Sequence, residues 1–238
     1  MNILHIETAT ATCSVALSIN GVLVSCRDHH EHNAHASMLT IFIKEVMAKS
    51  GLEMKDLDAI AVSKGPGSYT GLRIGVSVAK GICYALDIPL IAINTLDAMV
   101  TGYIDQLKSL RKDDLSLDSL FCPMIDARRM EVYTAIYRLD LQPQEATAAR
   151  VIDENTFDHL TEKYQLVLFG DGANKLSSLF EQSERIKVVS GFQNSARYLL
   201  KEAKEKFNNH QFEDVAYFEP FYLKDFVPTT PKKRFFSQ

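Results

Sequence analysis

The sequence predicts an α/β fold built as two lobes, and three observations carry that prediction. Short apolar runs of strand length alternate with stretches of helical spacing. The run, helix, run succession between residues 57 and 93 is the pattern of parallel strands joined by a crossover helix. A strand and hairpin near the start have a counterpart in a second strand pair beyond residue 119, so the architecture reads as internally duplicated. With 238 residues and 46% hydrophobic content, the chain can bury one large core or two modest ones.

In chain order, Asn2 to Thr8 reads as a buried strand, Thr8 to Thr12 as a small polar loop, and Cys13 to Ile19 as an alternating strand. Asn20-Gly21 is a hairpin turn before Val22-Leu23-Val24. From Ala36 to Ser50, Leu39, Phe42, Ile43, Val46 and Met47 recur at helical spacing, Met38 and Ile41 widen the stripe, and Gly51 stops it. Leu57 to Ser63 is a strand, Lys64 to Gly71 a loop, Leu72 to Leu86 a helix that stops before Ile88-Pro89, and Leu90 to Ile93 the next strand. The charged, serine-containing stretch from Lys108 to Asp118 predicts a boundary between lobes. Beyond it, Leu120 to Ile125, Glu131 to Tyr137 and Gln165 to Phe169 predict strands, Ser195 to Phe207 an amphipathic helix, and Tyr217 to Leu223 a late strand. The lobes are accordingly placed at 1–103, joined by 217–228, and at 104–216, with 229–238 as a flexible tail.

The formal charge of −4 supplies no overall field for nucleic acid or an anionic membrane, so any RNA contact must be local or borrowed from a partner. Met1 to Glu7 lacks the basic region of a secretory signal and carries an acid, and no run approaches the roughly twenty apolar residues of a membrane span. Cys13, Cys26, Cys83 and Cys122 form no Cys-x-x-Cys pair and read as reduced packing residues of a cytoplasmic protein.

Lys64 to Arg73 carries the strongest chemical signal. A strand end passes into two glycines flanking a proline, then hydroxyl side chains, then a helix start, which makes Gly65, Gly67, Ser68 and Thr70 candidates for holding an anion on backbone N–H groups. Gly-Pro-Gly alone also describes a tight turn, and no Gly-Lys-Ser/Thr follows to make a Walker loop. In the helix that follows, Gly71, Gly75 and Ala79 recur every four residues, and a mid-helix glycine costs about 1 kcal/mol relative to alanine, so Gly75 predicts the close approach of another backbone. Leu72, Val76, Ile82 and Cys83 make this helix apolar on more than one side. Either it is fully buried in its own lobe, or one side docks on a partner together with the Ala36 to Ser50 helix. On the second reading the interface comprises Leu39, Phe42, Ile43, Val46, Leu72, Arg73, Gly75, Val76, Ala79 and Cys83.

His29, His30, His32 and His35 cluster before a helix, yet a polar connector lacks the fixed second shell of a zinc site, and no metal is expected there. Asp126, Arg128, Arg129 and Glu131 read as a charged strand connector or a nucleotide contact, and Asp171-Gly172-Ala173 as a weak second anion loop. No Gly-x-Ser-x-Gly elbow or reactive-cysteine motif is present, so no catalytic residue is nominated. The tail Pro231 to Phe236 mixes basic and aromatic residues as single-strand RNA binders do, and as disordered termini also do.

Taken together, Leu4 to Thr10, Ser63 to Gly75, Asp126 to Tyr133, Gly170 to Ala173 and Pro220 to Leu223 resemble the TsaB (YeaZ) family, the non-catalytic paralogues of TsaD. The Gly-Pro-Gly-Ser-Tyr-Thr-Gly-Leu-Arg stretch is the specific part, and the likeness covers most of the chain up to about Asp140. The resemblance implies an ASKHA fold, the actin and Hsp70 architecture of two ribonuclease-H-like lobes. It implies a heterodimer with TsaD through the two helices named above, a homodimer when alone, TsaE as an associated ATPase, and threonylcarbamoyl-adenylate supplied by TsaC. The product of the complex is threonylcarbamoyladenosine, formed next to the anticodon in tRNAs that read codons starting with A. Where the catalytic branch carries a His-x-x-x-His metal pair, this chain has Thr95 and Met99, poor replacements for imidazole, so that metal chemistry is not expected here. The chain requires no cofactor of its own on this reading, with ATP or ADP placed at the partner seam and tRNA met through the complex. Glu7, in the first strand where ASKHA ATPases hold a metal-handling acid, joins Asp126 as a candidate nucleotide contact. Two other classes stay open at this point: an autonomous ASKHA phosphotransferase using Glu7 and Asp126, and a standalone peptidase as the older glycoprotease label implies.

Overall fold

The structure, a computed structural model, describes residues 1–30, 35–110 and 118–224. The expected lobe boundary between Lys108 and Asp118 therefore falls mostly outside the described residues, as does the whole of the 229–238 tail.

β1 (Asn2–Glu7), β2 (Cys13–Ile19) and β3 (Val22–His29) form an antiparallel meander. Asn20 and Gly21, at φ 54° and 82°, make its tight turn, as Asn-Gly pairs do. α1 (His35–Ser50) crosses the sheet to β4 (Ala59–Gly65), α2 (Tyr69–Leu86) leads to β5 (Leu90–Asn94), and β4 lies parallel to both β1 and β5. The resulting order is β3-β2-β1-β4-β5. The Ser68 hydroxyl caps α2 by accepting the Gly71 N–H, and Asp87 ends the helix in the left-handed region.

The same topology is built a second time. After α3 (Thr95–Ser109) come the antiparallel strands β6 (Ser119–Asp126), β7 (Glu131–Tyr137) and β8 (Pro143–Val151), then α4 (Asp158–Thr161), β9 (Gln165–Phe169), α5 (Asp171–Asn174) and β10 (Ile186–Val189). The order β10-β9-β6-β7-β8 repeats the first sheet strand for strand, with α4 and α5 shrunk to single turns where the first lobe has α1 and α2. A 3-10 turn (Ala196–Leu199) runs into α6 (Leu200–Asn208).

Alternation along the strands sets the layers. Leu4, Ile6, Ile60 and Val62 face α1 and α2, whereas Ile3, Ala59, Ala61, Ile91 and Ile93 face Leu199 and Ala203. α3 in turn packs Leu96, Met99, Val100, Tyr103 and Ile104 against the second sheet, with Tyr103 stacked on Phe169 at 4.2 Å between centroids. Each lobe thus lends its last helix to the other lobe's sheet. This corrects the expected lobe limits: a cut at 103/104 runs through α3, and residues 196–208 belong by packing to the first lobe.

The strand expected at Tyr217 to Leu223 is not formed. Instead the segment lies as an irregular leg along α2, where the Lys80 Nζ donates to the carbonyls of Ala216 and Phe218 at 3.1 and 2.9 Å and the Phe221 N–H donates to Lys64 O at 2.7 Å. Val215 and Phe218 pack on the first core. No helix among the described residues is long and apolar enough to cross a membrane.

Candidate functional site

The loop between β4 and α2 is shaped by the loop between β1 and β2. A Cβ on Gly67 would stand 2.2 Å from Ala9 O, one on Gly71 2.1 Å from Thr8 O, and one on Gly75 2.2 Å from Thr8 Oγ1. The Ser68 N–H donates to Ala9 O at 2.6 Å, and the Thr8 hydroxyl donates to Gly71 O at 2.8 Å. What comes close to Gly75 is therefore the chain's own Thr8 side chain and not another backbone, which corrects the expected approach of a backbone and its assignment to a partner. Gly65 is spoken for in the same way, since its φ is +113° and an added Cβ would meet Phe221 O at 2.6 Å. Of the N–H groups expected to hold an anion, Ser68 N serves Ala9, and the neighbouring Gly71 N serves the Ser68 hydroxyl at 3.3 Å. Gly170 and Gly172 likewise make room for the β6 backbone at Met124 and Ile125.

Between the lobes lies a cleft of about 330 Å³ whose lining includes Thr10, His35, Ser68, Thr70, Asp126 and Asp171. It brings Ser68, Thr70 and Asp126 together but leaves out Gly65, Gly67 and Glu7. Its charge is acidic: no lysine or arginine lines it among the described residues, and Asp171 Oδ1 accepts the Asp126 N–H at 3.1 Å. Burial holds the Asp171 carboxyl above the usual carboxylate range, and the Asp126 carboxylate pairs with Lys175. Glu7 is sealed beneath the cleft with no exposed surface. Its Oε1 accepts the Ala9 N–H at 2.6 Å, while Oε2 lies near the buried Ser63 hydroxyl and Asn194 amide nitrogen without a well-formed hydrogen bond to either. Burial lifts the Glu7 carboxyl to about 7, only partly opposed by the Ala9 N–H and by the Ser63 and Asn194 side chains beside it.

The described histidines of the cluster fasten this region rather than converge. His35 Nε2 lies 2.9 and 3.2 Å from the carbonyls of Thr10 and Thr12, His30 Nδ1 lies 3.1 Å from the Thr12 hydroxyl, and His29 sets its ring edge-on to Phe42. His32 lies outside the described residues. Thr95 and Met99 stand one turn apart on α3, both buried. All four cysteines are free, and burial pushes the thiols of Cys13 to about 11 and Cys83 to about 12, so neither offers a thiolate.

The expected interface is the largest correction. Leu39, Phe42, Ile43, Val46, Leu72, Gly75, Val76, Ala79 and Cys83 are all buried in the first lobe, most of them against Leu4, Ile6, Val15 and Val62. Both helices cover one face of their own sheet, and the C-terminal leg covers the flank of α2, so these side chains never reach a surface. Arg73 alone of the ten is exposed, with its guanidinium 4.0 Å over the Tyr69 ring. What α2 does expose is another face: Thr70, Ser77, Gly81, Ala85 and Tyr84, with Ile74 and Val78 half-buried beside them. Ile41 on the neighbouring α1 is 44% exposed and Tyr84 85%. Gly81 differs from Gly71 and Gly75 in that nothing lies within 4 Å of an added Cβ. The fold gives no reason for a glycine there, and the Ser77, Gly81, Ala85 spacing was a sequence signal for this face that the apolar count passed over.

A family model described as TsaD, tRNA N6-adenosine threonylcarbamoyltransferase, matches residues 29–229. The tRNA threonylcarbamoyladenosine biosynthesis protein TsaB of Bacillus subtilis is 32% identical over 171 residues, 71% of this chain and 70% of that protein. The chain belongs to the TsaB family. TsaB proteins are the non-catalytic paralogues of TsaD. Escherichia coli TsaB is 35% identical over 142 residues, 59% of this chain, and the match spans only 56% of that relative's length. Among solved structures, a Pseudomonas aeruginosa protein with similarity to peptidase YeaZ superposes with a TM-score of 0.74 at 22% identity, covering 94% of this chain and 99% of that one. YeaZ from the same organism gives 0.70 at 22% identity, over 93% and 100%. These likenesses show the two-lobed α/β fold. Within this TsaB chain the Gly-Pro-Gly-Ser-Tyr-Thr-Gly-Leu-Arg motif works as a seat for Thr8 and Ala9, holding α2 at a fixed height over the sheet.

Proposed function

We propose that the chain is the scaffold subunit of a tRNA threonylcarbamoyladenosine synthase, dimerising with TsaD and supporting its transfer reaction while doing no chemistry itself. The observation that carries the reading is Gly81, an exposed mid-helix glycine that costs about 1 kcal/mol and answers to nothing in its own lobe. With Ser77 and Ala85 it forms a small-residue track, flanked by Ile74, Val78, Tyr84 and Ile41, on which a second helix can approach closely. The names of the curated relatives supply the pathway. Alone, the same face pairs with a second copy, and TsaE joins the heterodimer as the ATPase. A nucleotide, if the assembly holds one, belongs at the seam with the partner, because the acidic cleft lining and the buried Glu7 argue against a triphosphate held by this chain alone. The same two features count against the autonomous phosphotransferase, and the high thiol values count against a cysteine peptidase. The test is reconstitution of the modification from TsaC, TsaD and TsaE with and without the chain. Modification that depends on the chain supports the reading, and modification that proceeds equally well without it refutes the reading.

A further inference from the structure

One surface outside the cleft and outside the Gly81 face joins both lobes. At its first-lobe end, the Arg73 guanidinium lies 4.0 Å over the Tyr69 ring, the Tyr69 and Tyr222 rings stand 4.9 Å apart, and Arg73 Nε donates to the Tyr222 hydroxyl at 3.2 Å. Tyr69, Tyr222 and Tyr133 of β7 then line one small depression with Lys224, whose ammonium pairs with Glu131. At its second-lobe end is the β6–β7 turn, which carries Arg128 and Arg129 at φ 74° and 50°. Burial holds the Tyr133 phenol above its usual value, with Lys224 and, less strongly, Arg128 near enough to oppose it.

Two features of this surface have no use within the fold. The turn places two consecutive arginines in the left-handed region that Asn-Gly fills without strain, and residues held there cluster at functional sites. Both guanidiniums are exposed, and neither has an ion-pair partner among the described residues. Arg73 is likewise exposed and without a salt bridge among the described residues. The surface therefore offers two uncommitted guanidiniums, and a third at Arg73 held by Tyr69 and Tyr222, beside three tyrosine rings, one pair of them tilted at 41° with centroids 4.9 Å apart, on a chain whose overall charge is −4.

We propose that this surface holds a single-stranded RNA segment, its bases laid against the Tyr69, Tyr222 and Tyr133 rings and its phosphates on Arg128, Arg129 and Arg73. Flat rings with adjacent guanidiniums suit unpaired bases and backbone together, which is how sequence-tolerant single-strand sites are built. The proposal rests on the tRNA-modification reading, which supplies the RNA, and extends it by giving this chain a direct contact of its own.

The test uses the full chain and a fluorescent anticodon stem-loop RNA, read by anisotropy between about 50 and 200 mM salt, with a blunt RNA duplex as competitor. Three phosphate contacts predict a slope of log affinity against log salt of about −2. Arg128→Glu with Arg129→Glu should weaken binding by about tenfold or more and flatten the slope to under about −1. Arg128→Asn with Arg129→Gly removes both charges while giving the turn its preferred residues, so a loss shared by both double variants cannot be misfolding. Tyr222→Ala should weaken binding by about tenfold with the slope unchanged. RNA binding by none of the proteins, or equal binding by all, overturns the proposal. So does a pair of arginine variants that keep RNA and lose TsaD, which would make the surface a protein dock. TsaD capture by the wild-type chain is scored in the same series, and its failure with RNA binding intact sinks the scaffold reading alone.

Discussion

Replacing Gly75 and Gly81 by alanine in turn should move stability in opposite directions, although the two residues lie in the same helix and the substitution is identical. At Gly75 the new Cβ would sit 2.2 Å from Thr8 Oγ1, an atom of a β-branched side chain anchored to Gly71 O at 2.8 Å. Relief requires Thr8 to turn away, losing a hydrogen bond of about 1 kcal/mol, or the β1–β2 loop to lift, an overpacking cost of about 1–3 kcal/mol. The gain in helix propensity, about 1 kcal/mol, offsets part of this, leaving a net loss of up to about 2 kcal/mol. At Gly81 nothing lies within 4 Å of the added Cβ, so only the propensity gain remains and the variant should be about 1 kcal/mol more stable. Urea titration of the three proteins, followed by circular dichroism, reads the midpoints directly. A Gly75→Ala protein stabilised as much as Gly81→Ala, or a Gly81→Ala protein less stable than wild type, would refute the assignment of Gly75 to self-packing and Gly81 to an open face.

Three further outcomes follow from the buried polar groups. The Glu7 carboxyl, raised to about 7 when folded, keeps its proton while the unfolded chain loses it, so its contribution to stability falls as pH rises from about 4.5 to about 7 and is flat above that. The span is on the order of 3 kcal/mol, and in urea titrations at pH 5 and pH 8 the difference between wild type and Glu7→Gln should shift by this amount in favour of the variant at the higher pH. His5, buried beside Ser18 with its imidazole pushed down to about 3, works at the acid end: the unfolded chain takes up a proton that the fold refuses, so stability should decline as pH falls below about 6.5, and a His5→Gln protein should decline less. Asp28 accepts from the hydroxyls of Ser14 and Ser195 at 2.5 and 2.7 Å and pairs with Arg197 at 2.6 Å, tying β3 to the return crossing between lobes. Asp28→Ala should cost about 1–3 kcal/mol in the same assay, and an unchanged midpoint would show the tie to be idle.

Much of the first lobe was legible because its elements are buried on one side. β1, β2, β4 and β5 alternate or run apolar, and α1 shows a single stripe. α3 escaped for the opposite reason: Ala98 faces one sheet while Leu96, Met99, Val100 and Tyr103 face the other, so no single face stands out. β8 is an edge strand, half-exposed throughout and poor in large apolar residues, and its sequence reads as a loop. At the site, the glycines told truly of a close approach but not of what approaches, because Thr8 and Gly71 meet only after β1 and β4 have paired. The apolar width of α1 and α2 was likewise real, yet periodicity counts greasy positions without showing that a sheet on one side and the C-terminal leg on the other already cover them.

The central claim is that the exposed small-residue face of α2 is where TsaD sits. It is tested most directly by co-expressing tagged TsaD with wild type and with Gly81→Arg, a change the open space around Gly81 lets the fold accept. Capture of wild type together with loss of a Gly81→Arg protein that unfolds at the wild-type urea midpoint is the result predicted. Undiminished capture of the arginine variant would contradict it.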